Sequence, residues 1–283
     1  MQSDLPEALS LHRFGGSTSG SILFLHANSF SAQMYQDFFS SLTDRYQVLA
    51  PDLPGHGQSC WSGRIHSWES LADYYLEKLD LNSVKKPIIG MGHSIGGIVI
   101  LFIALKRPDL FSRIVLLDPV LPPKRFLAIM RVFRLLSIAH LNPLSRRAKR
   151  RRQVFESRRQ AYSLYQKKSV FSNWKPGFLQ AYVDTCFRQD EKGSVRLACS
   201  PELESSIYQS IPLQVWSLPK KISLPALFLI GDHSDTVNAR GVRRLKKTGK
   251  QSQVELLNGG HLFPFENPED SMTVIKEFLA DEN

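Results

Sequence analysis

Cysteine is scarce in this 283-residue chain, which contains only Cys60, Cys186 and Cys199. They are an odd number, lie far apart and form no C-x-x-C pair, so we expect neither a disulfide framework nor a zinc site. A chain with so few cysteines fits a reducing compartment, and we expect a cytoplasmic location.

Long apolar runs are missing as well. No stretch of about 18 apolar residues is present, so no transmembrane helix is expected. The start, MQSDLPEALSLHRF, lacks a positive segment followed by a continuous apolar one, so we expect no secretory signal peptide. With 42% hydrophobic and 22% charged residues, the chain has an ordinary globular composition and can bury one large core.

Acidic residues are depleted in the middle of the chain. Residues 121–220 contain 19 Lys and Arg against 6 Asp and Glu, whereas the rest contains 17 against 20. The net charge of +10 therefore comes from one basic segment between two slightly acidic flanks. This asymmetry indicates an insertion with its own surface role.

Strand-like and helix-like segments alternate in the two flanks. The strand-like runs have little polar alternation, which is typical of strands buried on both faces. The predicted strands are Leu9–Phe14, Ile22–Leu25, Tyr46–Leu49, Pro87–Gly90, Ile114–Leu117, Ala226–Ile230 and Val254–Leu257. The predicted helices are Met34–Leu42, Ser67–Leu79 and Ile95–Lys106. The alternation predicts an α/β fold with a mostly parallel central sheet flanked by helices, formed by residues 1–120 and 220–283. Residues 121–219 show helical spacing and no convincing strand, so we expect an inserted basic helical lid there.

A glycine-rich turn around Ser94 predicts a nucleophile. The segment Gly90-Met91-Gly92-His93-Ser94-Ile95-Gly96-Gly97 follows an apolar strand and precedes an apolar helix, the context that a G-x-S-x-G elbow requires. A serine at such a sharp turn has a strained backbone, and only small residues fit two positions before and after it. The alternative is a glycine-rich turn with an incidental serine.

A serine hydroxyl needs a general base, itself oriented by an acid. His261 follows a predicted strand in a Gly-Gly-His loop, and we expect it to be the base. For the acid we favour Asp235, in the loop after Ala226–Ile230, over Asp118, which also follows a predicted strand. We expect Asp232 to hydrogen-bond within its loop instead.

The tetrahedral intermediate of acyl transfer carries an anionic oxygen that needs about two backbone N–H donors. We expect one donor to be the amide of Ile95, directly after the nucleophile. The loop after the strand Ile22–Leu25 reads His26-Ala27-Asn28-Ser29-Phe30, and we assign the second donor to the amide of Asn28.

Together these segments resemble the α/β-hydrolase superfamily, in the family's order. His26-Ala27-Asn28 is similar to its oxyanion loop, although Ala27 replaces the usual glycine. The remaining matches are the turn DLPGHGQS from Asp52, the elbow GHSIGG from Gly92, the acid loop GDHSD from Gly231, and the ending GH…ENPE from Gly260. The resemblance implies a lid-containing serine hydrolase of the α/β-hydrolase fold and supports Asp235 as the acid. Ser94 also argues against relatives that attack with aspartate, namely haloalkane dehalogenases and epoxide hydrolases.

These observations predict an enzyme that hydrolyses a fairly apolar carboxylic ester or thioester and needs no cofactor or metal. The same triad could instead cleave a carbon–carbon bond or transfer an acyl group, and a binding protein could keep the pocket without turnover. We expect His26, Phe126, Met130 and Trp174 to contact the substrate. The basic segment could be merely solvated, or could attract anionic substrates or an anionic membrane surface. Nucleic acid is not an expected partner, because no recognition module or aromatic platform is evident.

Overall fold

The computed structural model describes residues 5–6, 8–16, 19–81, 84, 86–249 and 251–281. Residues 1–4 and 7, part of the start considered for a signal peptide, lie outside this description. The strands are β1 (Leu11–Phe14), β2 (Ser21–Leu25), β3 (Gln47–Pro51), β4 (Ile88–His93), β5 (Phe111–Leu117), β6 (Val154–Phe155), β7 (Phe187–Gln189), β8 (Val195–Leu197), β9 (Ala226–Gly231) and β10 (Ser252–Leu257). The helices are α1 (Gln36–Phe39), α2 (Trp68–Lys78), α3 (Ile95–Lys106), α4 (Lys124–Leu135), α5 (Pro143–Lys149), α6 (Arg158–Tyr165), α7 (Phe178–Thr185), α8 (Pro201–Gln209), α9 (Ala239–Leu245), α10 (Phe263–Glu266) and α11 (Pro268–Ala280). Short 3-10 helices cover Gln33–Tyr35, Pro108–Leu110, Ala139–Leu141, Ser169–Phe171, Val215–Ser217 and Pro219–Lys221.

Seven of these described strands form the central sheet, in the order β1-β3-β2-β4-β5-β9-β10. Strand β1 is antiparallel to β3, and all the other pairs are parallel. The predicted mostly parallel sheet is therefore confirmed. Its parallel strands all end at one edge, where the loops that follow them gather.

Helices cover both faces of the sheet, which explains why its strands read as continuous apolar runs. In β2, Leu23 and Leu25 pack in the core layer that contains α2 and α3. Ile22 and Phe24, which point to the other face, pack in the layer that contains α1 and α11. Side chains alternate along a strand, so every position of β2 is buried on one face or the other.

The segment 121–219, called the insert below, contains α4 to α8 and a small antiparallel sheet in the order β6-β8-β7. The expectation that it contains no strand is wrong. Its strands are two or three residues long, which is too short for a period-two pattern to show in the sequence.

The insert packs on loops at the carboxyl edge of the sheet. The Lys175 amide donates to the Phe265 carbonyl at 2.8 Å, and Arg188 Nε donates to the Gly57 carbonyl at 3.0 Å. Ser31 Oγ donates to the Thr185 hydroxyl at 2.7 Å. These contacts join the insert to the loops after β2, β3 and β10. Among the described helices, none is both long enough and apolar enough to cross a bilayer.

Candidate active site

Ser94 occupies the sharp turn between β4 and α3. Its backbone angles, φ 58° and ψ −119°, lie outside the regions that non-glycine residues favour. A side chain at Gly92 would come within 2.5 Å of the Gly96 carbonyl, and one at Gly96 would overlap the carbonyl of Leu25. The strained serine and the close approach of its neighbours are both as the sequence predicts.

Three side chains form a continuous hydrogen-bonded chain at this edge. His261 Nε2 lies 2.9 Å from Ser94 Oγ. The other ring nitrogen, Nδ1, lies 2.6 Å from Asp118 Oδ2. The Asp118 side chain is fully buried, and that of His261 is 23% exposed. The structure therefore brings together Ser94 and His261, as expected. The carboxylate beside them is that of Asp118, the less favoured of the two acids considered from the sequence.

The Asp118 carboxylate is held by the loop that follows the neighbouring strand. The backbone amide of Asp118 donates to the Leu229 carbonyl at 2.8 Å, which extends the pairing of β5 with β9 by one residue. Gly231 N donates to Oδ1 at 3.1 Å, and Ser234 Oγ donates to Oδ2 at 2.6 Å. Hydrogen bonds on both oxygens leave the carboxylate little freedom to turn away from the imidazole.

Asp235 does not occupy the place expected for it, and that expectation is corrected. Its side chain is exposed, and Oδ1 accepts a hydrogen bond from the hydroxyl of Thr236 at 3.3 Å. The loop turns so that Thr236, not Asp235, lies against His261, with 3.2 Å between Oγ1 and Nδ1. Asp232 accepts from the amide of Gly259 at 2.9 Å, so it makes its hydrogen bond to the loop that carries His261 and not, as expected, within its own loop.

The surroundings of His261 favour its protonated form. Burial opposes the charge, but the hydrogen bond and negative charge of Asp118 outweigh it and raise the pKa of His261 above its ordinary value. Asp235 and Glu266 add smaller contributions in the same direction. Glu266 also accepts from the Gly260 amide at 2.8 Å, which anchors the loop that carries the histidine. An imidazole in this setting is a strong proton acceptor.

A second chain of hydrogen bonds, which the sequence did not suggest, passes behind the site. His93 is fully buried, and its Nε2 donates to the His261 carbonyl at 2.9 Å. Its Nδ1 then accepts from the Tyr35 hydroxyl at 2.6 Å, and the Ala27 amide donates to that hydroxyl at 3.4 Å. Burial lowers the pKa of His93 well below its ordinary value, as this neutral tautomer requires. The chain ties the loop after β2 to the loop that carries His261.

His26 is a structural residue, which corrects its expected place in the substrate pocket. The side chain is fully buried, and Nε2 accepts from the Leu53 amide at 2.8 Å. Nδ1 donates to the Ala27 carbonyl at 2.7 Å. Burial lowers the pKa of His26 despite the nearby charge of Asp52. With both ring nitrogens occupied, His26 shapes the loop that presents Asn28.

The two expected oxyanion donors are the backbone amides of Ile95 and Asn28. Ile95 is the first residue of α3, and Asn28 lies in the loop after β2, so both amides belong to segments at the carboxyl edge of the sheet. The Asn28 side chain lies against the buried His56, with 3.3 Å between Oδ1 and Nε2. Within the part of the chain that the structure describes, neither backbone amide donates to another protein group. Both therefore remain free to bind an anion.

The other expected pocket residues lie in different surroundings. The Trp174 ring packs 4.8 Å from the ring of Phe265 and 6.0 Å from that of Phe30. Phe265 belongs to α10, just after His261, and Phe30 closes the loop that carries Asn28. Met130 is fully buried on α4, and Phe126 is half-buried against the core layer that contains α2 and α3. Only Trp174 is thus linked by ring contacts to the loops of the site.

Comparison with known proteins points to one family. The family model described as "Alpha/beta hydrolase family" matches residues 22–272. The sn-1-specific diacylglycerol lipase ABHD11 of Mus musculus is 25% identical over 281 residues, which cover 94% of this chain and 83% of that protein. Lipase LipV of Mycobacterium tuberculosis is 33% identical over 112 residues, 39% of this chain and 41% of that one. Like several other matches, the LipV alignment spans well under two thirds of the relative's length. The crystal structure of E-2-(acetamidomethylene)succinate hydrolase superposes with a TM-score of 0.78 at 19% identity, over 96% of this chain and 95% of that one.

Proposed function

Because the chain belongs to the alpha/beta hydrolase family, we propose that it is a serine hydrolase that cleaves a carboxylic ester or thioester through an acyl-enzyme. The observation that carries the proposal is the unbroken hydrogen-bonded chain from Ser94 through His261 to the buried carboxylate of Asp118. In this proposal Ser94 is the nucleophile, His261 the general base and Asp118 the acid.

In the first half-reaction, Ser94 Oγ attacks the substrate carbonyl while its proton passes to His261 Nε2. Asp118 stabilises the imidazolium that forms and keeps its Nδ1–H pointing away from the serine. Collapse of the tetrahedral intermediate breaks the bond to the leaving alcohol or thiol, which takes the proton from His261. Water then attacks the acyl-enzyme with the same base, which releases the acid and restores Ser94.

We assign the oxyanion to the backbone amides of Ile95 and Asn28. Both lie in segments next to Ser94 at the carboxyl edge, and neither has an acceptor among the groups that the structure describes. The N-terminus of α3 adds its dipole, which favours negative charge at that point. The Tyr35 hydroxyl and His93 would keep the Asn28 loop and His261 in register.

We further propose that the insert acts as a lid with a fairly apolar lining. Three loops of the site touch it, and Trp174 contributes an aromatic surface beside Phe30 and Phe265. Aromatic walls suit the acyl chain of an apolar ester. Two of the matched relatives bear the name lipase, which agrees with such a substrate.

The test is covalent labelling by a fluorophosphonate, read by intact mass, with turnover of p-nitrophenyl esters of increasing chain length. The wild type should gain one adduct and hydrolyse the esters, and Ser94→Ala should do neither. Ser112→Ala is the matched control, because this half-buried serine lies on β5 and takes no part in the site. It should behave as the wild type.

An unlabelled but folded wild type would refute the nucleophile and favour a binding protein. An adduct without ester turnover would refute the ester substrate, and would direct the search to carbon–carbon bond cleavage or acyl transfer.

A further inference from the structure

Helix α4 of the insert exposes an apolar face. Ile129, Val132, Leu135 and Leu136 are 52%, 51%, 78% and 62% exposed. Their spacing places them along one side of the helix. Leu127, on the opposite side, is buried, and nothing in the described part of the chain covers the exposed side. Four adjacent exposed aliphatic side chains indicate a surface that meets an apolar partner.

Two basic clefts border this helix. One cleft, of about 650 Å³, is bordered by cations from α4, from the residue just after the insert and from α9: Lys124, Arg131, Lys220 and Arg244. The other, of about 460 Å³, is bordered by Arg64, Arg134, His140 and Lys149. No Asp or Glu is among the described residues that border either cleft. The helix that carries the apolar face therefore also borders positively charged clefts, with no acidic group among their described lining residues.

The helix is firmly attached, so this face exists before any partner arrives. The Arg134 guanidinium donates to the carbonyl of Gln209, the last residue of α8, and to the carbonyl of Ile211, just beyond that helix. Arg244 stacks on the Trp216 ring at 4.6 Å, at the border of the larger cleft. Docking would cost little ordering of the backbone.

We propose that this surface docks on an anionic lipid bilayer, with α4 lying in the plane of the interface. The aliphatic side chains would enter the boundary between headgroups and acyl chains, while the cations beside them contact lipid phosphates. Exposed aliphatic residues with cations on the same helix and in the clefts that border it match a bilayer surface. A nucleic acid would favour cations with aromatic stacking surfaces, and the exposed residues of this face are aliphatic.

The inference does not depend on the proposed function, because binding can be measured without turnover. The Ser94→Ala protein would be sedimented with phosphatidylcholine vesicles, with and without phosphatidylglycerol. We expect it to bind only the vesicles that contain phosphatidylglycerol, and to dissociate as salt is added. Equal binding to both vesicle types, or binding to neither, would overturn the proposal.

Two pairs of variants locate the surface. The double variant Lys124→Gln with Arg131→Gln should weaken vesicle binding about 30-fold, because each cation that is lost contributes about five-fold. The matched control is the double variant Arg13→Gln with Lys276→Gln. It removes one exposed cation from the edge strand β1 and one from α11, which packs in the core layer on the other face of the sheet from α2 and α3. Vesicle binding of this control should change about two-fold at most. Equal losses in the two double variants would overturn the location.

The apolar contribution is tested with Leu135→Gln, which should weaken vesicle binding about ten-fold. Leu256→Gln is its control, because this leucine on β10 is also an exposed large aliphatic residue, with 50% of its surface accessible. All these positions are exposed, so the variants should fold normally. If Leu135→Gln changed only the sedimentation velocity of the protein alone, the face would be a contact between two copies, and the bilayer proposal would be overturned.

Discussion

The replacement Asp118→Asn tests the arrangement of the site most directly. In the wild type, the buried carboxylate accepts hydrogen bonds from Gly231, Ser234 and His261. A carboxamide has nearly the same shape but can turn its NH₂ group toward Nδ1 of the imidazole. The ring would then carry its proton on Nε2, where it could no longer accept the proton of Ser94.

The magnitude follows from the geometry. With 2.6 Å between Nδ1 and Oδ2, the charge centres of imidazolium and carboxylate are about 4 Å apart, which corresponds to about 4 kcal/mol at an effective dielectric constant of 20. Loss of that stabilisation slows the reaction about 10³-fold, and the wrong tautomer extends the loss toward about 10⁴-fold. Asp235→Asn is the matched control. Its carboxylate is exposed and screened by water, so kcat should change by less than about three-fold.

The dependence of kcat/KM on pH gives a second readout. His261 must be neutral to accept a proton, so activity falls as the pH drops through its pKa. Asp118 raises that pKa against the opposing effect of burial. Asp118→Asn removes the largest of the effects that oppose burial and leaves only the smaller ones of Asp235 and Glu266, so the acid limb of the residual activity should move to lower pH. In Asp235→Asn it should move only slightly in the same direction.

Both variants would be assayed with the p-nitrophenyl ester that the wild type prefers, after circular dichroism shows that they are folded. A large loss in Asp235→Asn with a small one in Asp118→Asn would refute the reasoning. So would an acid limb that stays in place in Asp118→Asn.

Three further predictions concern stability, measured by urea unfolding. Gly96→Ala should lower the free energy of unfolding by at least about 2 kcal/mol, because its methyl group would overlap the Leu25 carbonyl. Arg151→Gln should lower it by about 3–5 kcal/mol, because the buried Glu204 carboxylate would lose its partner. Tyr35→Phe should lower it by about 1–3 kcal/mol and reduce kcat, because two loops of the site lose the hydroxyl that joins them.

Each of these has a control that should stay within about 0.5 kcal/mol of the wild type. Gly16→Ala places a methyl group in open space, and Arg150→Gln changes an exposed neighbour of the buried arginine. Tyr74→Phe removes a hydroxyl with a long 3.4 Å bond to one carbonyl. A test variant as stable as its control would contradict the corresponding argument.

The basic cluster RRAKRRR shows how far composition can be interpreted. From the sequence, Arg146 to Arg152 form a dense patch of charge. In the structure, Arg151 is turned inward, where it donates to Glu204 and to the hydroxyls of Tyr165 and Tyr182. Charge counts predict that a segment is basic, but they do not show which cations meet solvent, because that depends on the packing of residues distant in the chain.

Local sequence patterns predict the α/β fold, the bounds of α3 and the turn that carries Ser94, and they indicate the loop of His261. These features depend on local causes: apolar periodicity, the small residues that a strained turn demands, and the order of strand and helix. Tertiary structure decided which aspartate meets the histidine. Strands β5 and β9 are neighbours and end at the same edge, so Asp118 and Asp235 were both within possible reach. The path of the loop after β9 turns Asp235 to solvent and aims Ser234 at Asp118, and that path depends on contacts with the distant His261 loop.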